Sequence, residues 1–182
     1  MKLSFVVAAA ALAGIVCLSF TSAQEDAPPM AKPGKQHELL ARKVGTWDAL
    51  MTMGGQPGGK AVFTAKMDHG GLWLVGDFRG EFMGAPFSGH EVAGYDSKKQ
   101  KYVSTWIDSM IDRVMVFEGD YDEKTKTTSL WTEGTDPMTG KPMRERHDHK
   151  FIDADNWEFT MNHPQADGSY APVLTVTYKR KK

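Results

Sequence analysis

The sequence predicts an all-β fold: about ten antiparallel strands closed as an up-and-down barrel, with one short N-terminal capping helix. Three observations carry this. Beyond residue 45, apolar and polar side chains alternate in short runs, the period of a strand with one buried face. Turn residues recur about every 8 to 12 positions. No connection has room for a crossover helix, so neighbours in sequence must pair antiparallel. Such a meander keeps two exposed edges unless it closes on itself, and closure removes both.

The first segment stands apart from that fold. Lys2 supplies a positive start, Leu3 to Phe20 is an almost unbroken apolar run, and Thr21-Ser22-Ala23 offers small residues before Gln24-Glu25-Asp26. This is the layout of a secretory signal peptide cut after Ala23, which implies a secreted or periplasmic protein. The apolar run also reaches the lower edge of a bilayer span, so an uncleaved anchor is the competing reading. A lipid-attached Cys17 is a third, against which stands the bulky Val16 before it.

Cleavage there leaves 159 of the 182 residues, the size of one domain with a full core. Their 21 basic and 23 acidic residues give a net charge of −2, so no strong field draws nucleic acid or a membrane surface. The basic end, Lys179 to Lys182, reads as a solvated terminus. Cys17 is the one cysteine, so the exported chain has no disulfide and its core must hold the fold unaided.

Residues 24–35 carry Pro28, Pro29, Pro33 and Gly34 without periodicity and read as a disordered spacer; 36–182 form the single barrel domain. Gln36 to Val44 is the one convincing helix, with Leu39, Leu40 and Val44 on a stripe and Gly45 suited to a left-handed stop. Strands follow near 46–53, 60–68, 72–82, 87–95, 101–108, 112–119, 126–133, 142–152, 156–163 and 171–180. The six residues Gly54 to Gly59 link the first two.

Parity assigns the faces. In the first strand Trp47, Ala49, Met51 and Met53 point inward; in the second Ala61, Phe63, Ala65 and Met67; in the ninth Trp157, Phe159 and Met161. In the last strand Leu174, Val176, Tyr178 and Arg180 share one face, and Val173, Thr175, Thr177 and Lys179 the other. If the barrel closes, Arg180 lies across the Trp47 ring. The helix then caps the end that Trp47 plugs, and Arg180 pins the seam.

Gly45-Thr46-Trp47 on the first strand, with an arginine on the last, resembles the calycin group of lipocalins and fatty-acid-binding proteins. "SGHEVAGYDSKKQKYVSTWIDSM" (88–110) and "EGTDPMTGKP" (133–142) resemble the bacterial family called domain of unknown function 1579, over most of the mature chain. The resemblance implies a lipocalin-like barrel and names no ligand. The chain departs from lipocalins in its ten strands and absent disulfides. It departs from fatty-acid-binding proteins in lacking two helices after the first strand.

The candidate site residues follow from the same parity. Met143, Glu145, His147, His149 and Phe151 share a face, so His147 and His149 can line the lumen, or with Glu145 hold a metal or haem. Two surface imidazoles are the plain alternative. In the opposite register Arg144 and Arg146 face inward and clamp an anionic head group, as the fatty-acid-binding resemblance allows. Tyr102, Ser104, Trp106 and Asp108 share a face, with Asp108 either a polar anchor in an aromatic pocket or a cap on the Ser109–Ile111 turn. His90 is a further lumen candidate, set against a satisfied strand histidine. Ten mature methionines suit core packing and an adaptable pocket better than copper.

No phosphate loop, nucleophile elbow, paired-cysteine metal site or internal repeat is present in the sequence. The favoured reading is an exported protein that binds a small apolar or amphipathic molecule, with no nucleic-acid partner and no membrane span after cleavage. The alternatives are a metal- or haem-dependent protein using Glu145, His147 and His149, and a barrel filled by its own side chains.

Overall fold

A computed structural model describes residues 30–136 and 139–182. The expected signal peptide, and the expected spacer up to residue 29, lie outside the described residues. Helix α1 (Lys35–Ala41) is followed by ten strands: β1 (Gly45–Met53), β2 (Gln56–Asp68), β3 (Trp73–Phe82), β4 (Ala85–Asp96), β5 (Lys101–Asp108), β6 (Met115–Asp122), β7 (Thr127–Thr135), β8 (Pro142–Phe151), β9 (Asn156–Pro164) and β10 (Tyr170–Arg180). Each strand pairs antiparallel with its sequence neighbours, and β1 with β10, so the sheet closes as an up-and-down barrel. No helix among the described residues is long and apolar enough to cross a membrane.

The helix is shorter than its apolar stripe predicts. The amides of Arg42, Lys43 and Val44 bond back to Leu39, Leu40 and Ala41 three residues earlier, which tightens the last turn and ends it before Val44. Gly45 is therefore not the helix stop. It opens β1 at φ +124°, where its missing side chain also lets the Arg180 guanidinium approach. The first hairpin is tighter than its glycines suggest: β2 already starts at Gln56, so only Gly54-Gly55 form the turn, and a bulge at Met51/Thr52 absorbs the extra residue. β6 begins at Met115 rather than 112, because the turn after β5 is held by Asp108.

Inward parity places Trp47, Ala49, Ala61, Phe63, Ala65, Leu74, Trp157 and Tyr178 in one buried cluster next to α1, which contributes Leu40. Trp47 stands opposite Arg180 in the closing register, with the guanidinium carbon 4.0 Å from its ring centroid. Arg180 also donates to the Val44 carbonyl at 2.8 Å and to the Ala154 carbonyl at 3.0 Å. The Trp47 indole donates to the Lys43 carbonyl at 2.8 Å. One tryptophan and one arginine thus tie the helix link, the first strand and the last strand together.

Parity fails at one point. A register shift between Pro172 and Leu174 turns Val173 inward beside Leu174, so both reach the lumen.

Candidate ligand-binding cavity

From the level of Glu91 to the end away from α1, the inward side chains do not meet across the barrel. They leave a cavity of about 560 Å³, within the roughly 300–1,000 Å³ of small-molecule pockets. Its walls are mainly aromatic and thioether groups, among them Phe78, Phe87, Trp106, Phe159, Met115 and Met161. Met53, at the strand end, is exposed at the rim rather than buried with Met51.

A charged cluster sits at the inner end. Lys43, on the link between α1 and β1, places Nζ 3.3 Å from Glu91 Oε1 and 3.1 Å from His149 Nδ1. Ser104 donates to the same Glu91 oxygen at 3.4 Å. Both charged side chains are more than nine-tenths enclosed. Removing two ions from water is costly, and only their mutual pairing and added hydrogen bonds offset it. Burial, then the Lys43 charge and His147, hold the His149 imidazole well below its usual range, so the ring is neutral. Burial, with the Glu91 charge beside it, pushes the Tyr178 phenol far upward, so its hydroxyl keeps its proton.

A second cluster lies nearer the mouth. Glu145 Oε2 is 3.4 Å from His147 Nε2 and 3.9 Å from His163 Nε2. The His147 hydrogen bond lowers the Glu145 carboxyl against the opposing effect of burial, with smaller help from His163 and Arg113. The His147 ring packs 4.6 Å from Phe117 and 5.2 Å from Phe159.

Glu145, His147 and His149 all face the cavity, yet the proposed metal set is not assembled. His147 turns to Glu145, while His149 spends its Nδ1 lone pair on the Lys43 ammonium. Among the described residues no three His, Cys, Asp or Glu side chains are arranged to hold a metal. Arg144 and Arg146 stand outside, 4.5 Å and 5.9 Å from the Trp131 ring centroid, so the head-group clamp of the opposite register is not formed.

Trp106 and Asp108 both line the cavity. The Trp106 indole donates to Asp108 Oδ2 at 2.8 Å, while Oδ1 accepts the Met110 and Ile111 amides at 2.8 and 3.1 Å. Asp108 thus caps the turn and fixes the aromatic wall at once. Gly89 makes room for this: a Cβ there would collide with the Trp106 ring.

His90 is not in the cavity. It lies on the outer face, partly exposed, with Nδ1 3.0 Å from Asp77 Oδ1. Its neighbour Glu91 takes the inward position that parity with Phe87 and Ala93 dictates. Lys43 and Glu91 are the residues the sequence reading missed. A carboxylate alternating with Phe87, Gly89 and Ala93 was the available signal, since a buried acid demands a cation. Nothing local pointed to Lys43 as that cation.

Fold and cavity together define the class: a closed antiparallel barrel enclosing an aromatic-lined space of ligand size. Within it, the chain belongs to the family described as protein of unknown function (DUF1579), whose model matches residues 32–180. Comparison with curated proteins gives no match. Similar solved structures include a redesigned beta barrel, b11L5F_LGL, at 18% identity and TM-score 0.40, covering 84% of this chain and 100% of that one. Another is a redesigned beta barrel, mFAP1, bound to DFHBI, at 18% identity and TM-score 0.40, covering 81% of this chain and 100% of that one.

Proposed function

We propose that the protein is an exported binding protein whose barrel holds one small apolar or amphipathic molecule. The supporting observation is the cavity of about 560 Å³, walled by aromatic and methionine side chains, with only a few polar groups. The export half rests on the leader pattern of Lys2 to Ala23. The binding half is tested by titrating the purified protein with a neutral naphthyl ketone dye, beside a cavity-filling Met115→Trp variant. Saturable uptake of one dye per chain that the variant loses is expected; uptake that is absent, or unchanged in the variant, overturns the reading. N-terminal sequencing of the exported protein tests the other half. It should begin near Gln24, and a start at Met1 or at a lipid-modified Cys17 overturns it.

A further inference from the structure

Three aromatic rings stand in file along one wall of the cavity: His149 on β8, Trp157 on β9 and Tyr178 on β10. Trp157 and Tyr178 stack with centroids 3.6 Å apart and planes 3° from parallel; His149 continues the file at 6.0 Å and 28°. Each ring carries a polar atom, and the donor inventory decides which role it has.

A lysine ammonium has three protons and no lone pair, so in its contact with His149 it can only donate. His149 Nδ1 is therefore the acceptor, and the ring proton sits on Nε2. Among the described residues Nε2 of His149 has no hydrogen-bond partner, nor has the Tyr178 hydroxyl, and both side chains line the cavity. The Trp157 Nε1–H is likewise unpaired but fully enclosed, out of reach of a ligand. The His149 and Tyr178 donors are not sealed off in this way, so water or the acceptor oxygen of a ligand can meet them from the cavity.

The charges of the cavity say what kind of acceptor. Glu91, Asp108 and Glu145 line it against a single guanidinium, Arg113, and the Lys43 ammonium behind Glu91 is already paired with it. Three carboxylates against two cations leave these charges net negative. Arg113, on the link between β5 and β6, stands at the mouth, where it helps to lower the Glu145 carboxyl, and Arg144 and Arg146 lie on the outer face, so a carboxylate at the inner end meets the paired Glu91 and no unpaired cation.

We propose that the cavity selects a neutral ligand carrying an oxygen acceptor, such as a carbonyl or an ether. His149 Nε2–H, its tautomer locked by Lys43, donates to that oxygen, while ionised fatty-acid-type ligands are rejected. This rests on the binding reading above and adds the ligand's chemistry to it.

The test uses three probes on one ring system: acetyl-dimethylaminonaphthalene, the carboxylate of the same ring, and dimethylaminonaphthalene without either substituent. Affinities are measured at about pH 8, where the acid is ionised and ordinary imidazoles are neutral. The ketone should bind about tenfold more tightly than the carboxylate and about fivefold more tightly than the bare ring, as one net hydrogen bond allows. Nitrogen NMR of the free protein should show His149 protonated at Nε2, and the ketone should shift that signal. His149→Phe, which keeps a planar ring, should bring the ketone down to the affinity that the bare ring has in the same variant. A carboxylate that binds as tightly as the ketone, a ketone no better than the bare ring, or a proton on Nδ1 overturns the proposal while leaving a binding barrel intact. If none of the three probes binds, the binding reading falls and this one with it.

Discussion

Replacing Trp47 with alanine is the most demanding perturbation of the barrel's closure. The side chain is 1% exposed, and truncating a large core aromatic costs about 3–5 kcal/mol in transfer and cavity terms. Loss of its indole bond orphans the Lys43 carbonyl, which moves the cost toward the upper end of that range. Against a total stability of about 5–15 kcal/mol, this one change removes a large share. Arg180→Ala loses the cation–π contact at 4.0 Å, worth about 0.5–2 kcal/mol. It also loses the hydrogen bonds to Val44 and Ala154; its ion pair with Asp155 is half in water and adds little. The two residues touch, so the double variant should fall short of the sum of the singles by about 0.5–2 kcal/mol. Equilibrium urea unfolding, followed by far-ultraviolet circular dichroism so that the lost tryptophan does not bias the signal, measures all three. Strict additivity, or a Trp47→Ala cost below about 1 kcal/mol, refutes the seam.

Further outcomes follow from the inner cluster and the aromatic wall. Lys43→Met or Glu91→Gln alone should destabilise by about 3–5 kcal/mol, with Lys43→Met/Glu91→Leu much closer to the parent, because a lone buried charge costs more than a missing pair; near-neutral single variants in urea unfolding would contradict this. His149 is held well below 6.5 in the folded protein, so as pH falls through 6.5 the unfolded chain takes up a proton that the native ring does not. Stability should therefore drop below that pH, by up to about 1.4 kcal/mol per unit for this one proton, until the folded ring titrates. His149→Phe should flatten that part of the slope between about pH 6.5 and 5; an unchanged slope in denaturant titrations rules the assignment out. Gly89→Ala drives a Cβ into the Trp106 ring and should cost about 1–3 kcal/mol while altering dye affinity; parent-like melting and dye binding would show that Trp106 is not held there.

The legible parts of this protein are those governed by local periodicity. The ten strands begin and end close to where alternation and turn residues place them, and inward parity marks Trp47, Phe63, Trp157 and Tyr178 correctly, because a strand's side chains must alternate whatever it pairs with. Parity misled where the backbone breaks step. The bulges at Met51/Thr52 and Pro172/Leu174 shorten the first turn and rotate Val173 inward, and neither carries a unique sequence signal. His90 is the satisfied strand histidine of its two readings rather than a lumen group, since it shares the outer face with Ser88 and Val92 and bonds Asp77 there.

By itself, then, the sequence determined the all-β meander, its closure and the Trp47–Arg180 seam, since all three follow from alternation, short links and the cost of open edges. Tertiary structure decided which polar groups share the lumen. Lys43 meets Glu91 across 48 residues of sequence and His149 across 106. That meeting, rather than any motif, takes His149 away from a metal, settles its proton on Nε2 and leaves a donor facing the cavity. Local pattern is silent here because the strength of a buried charge depends on its partners in space, and those partners exist only once the barrel has closed.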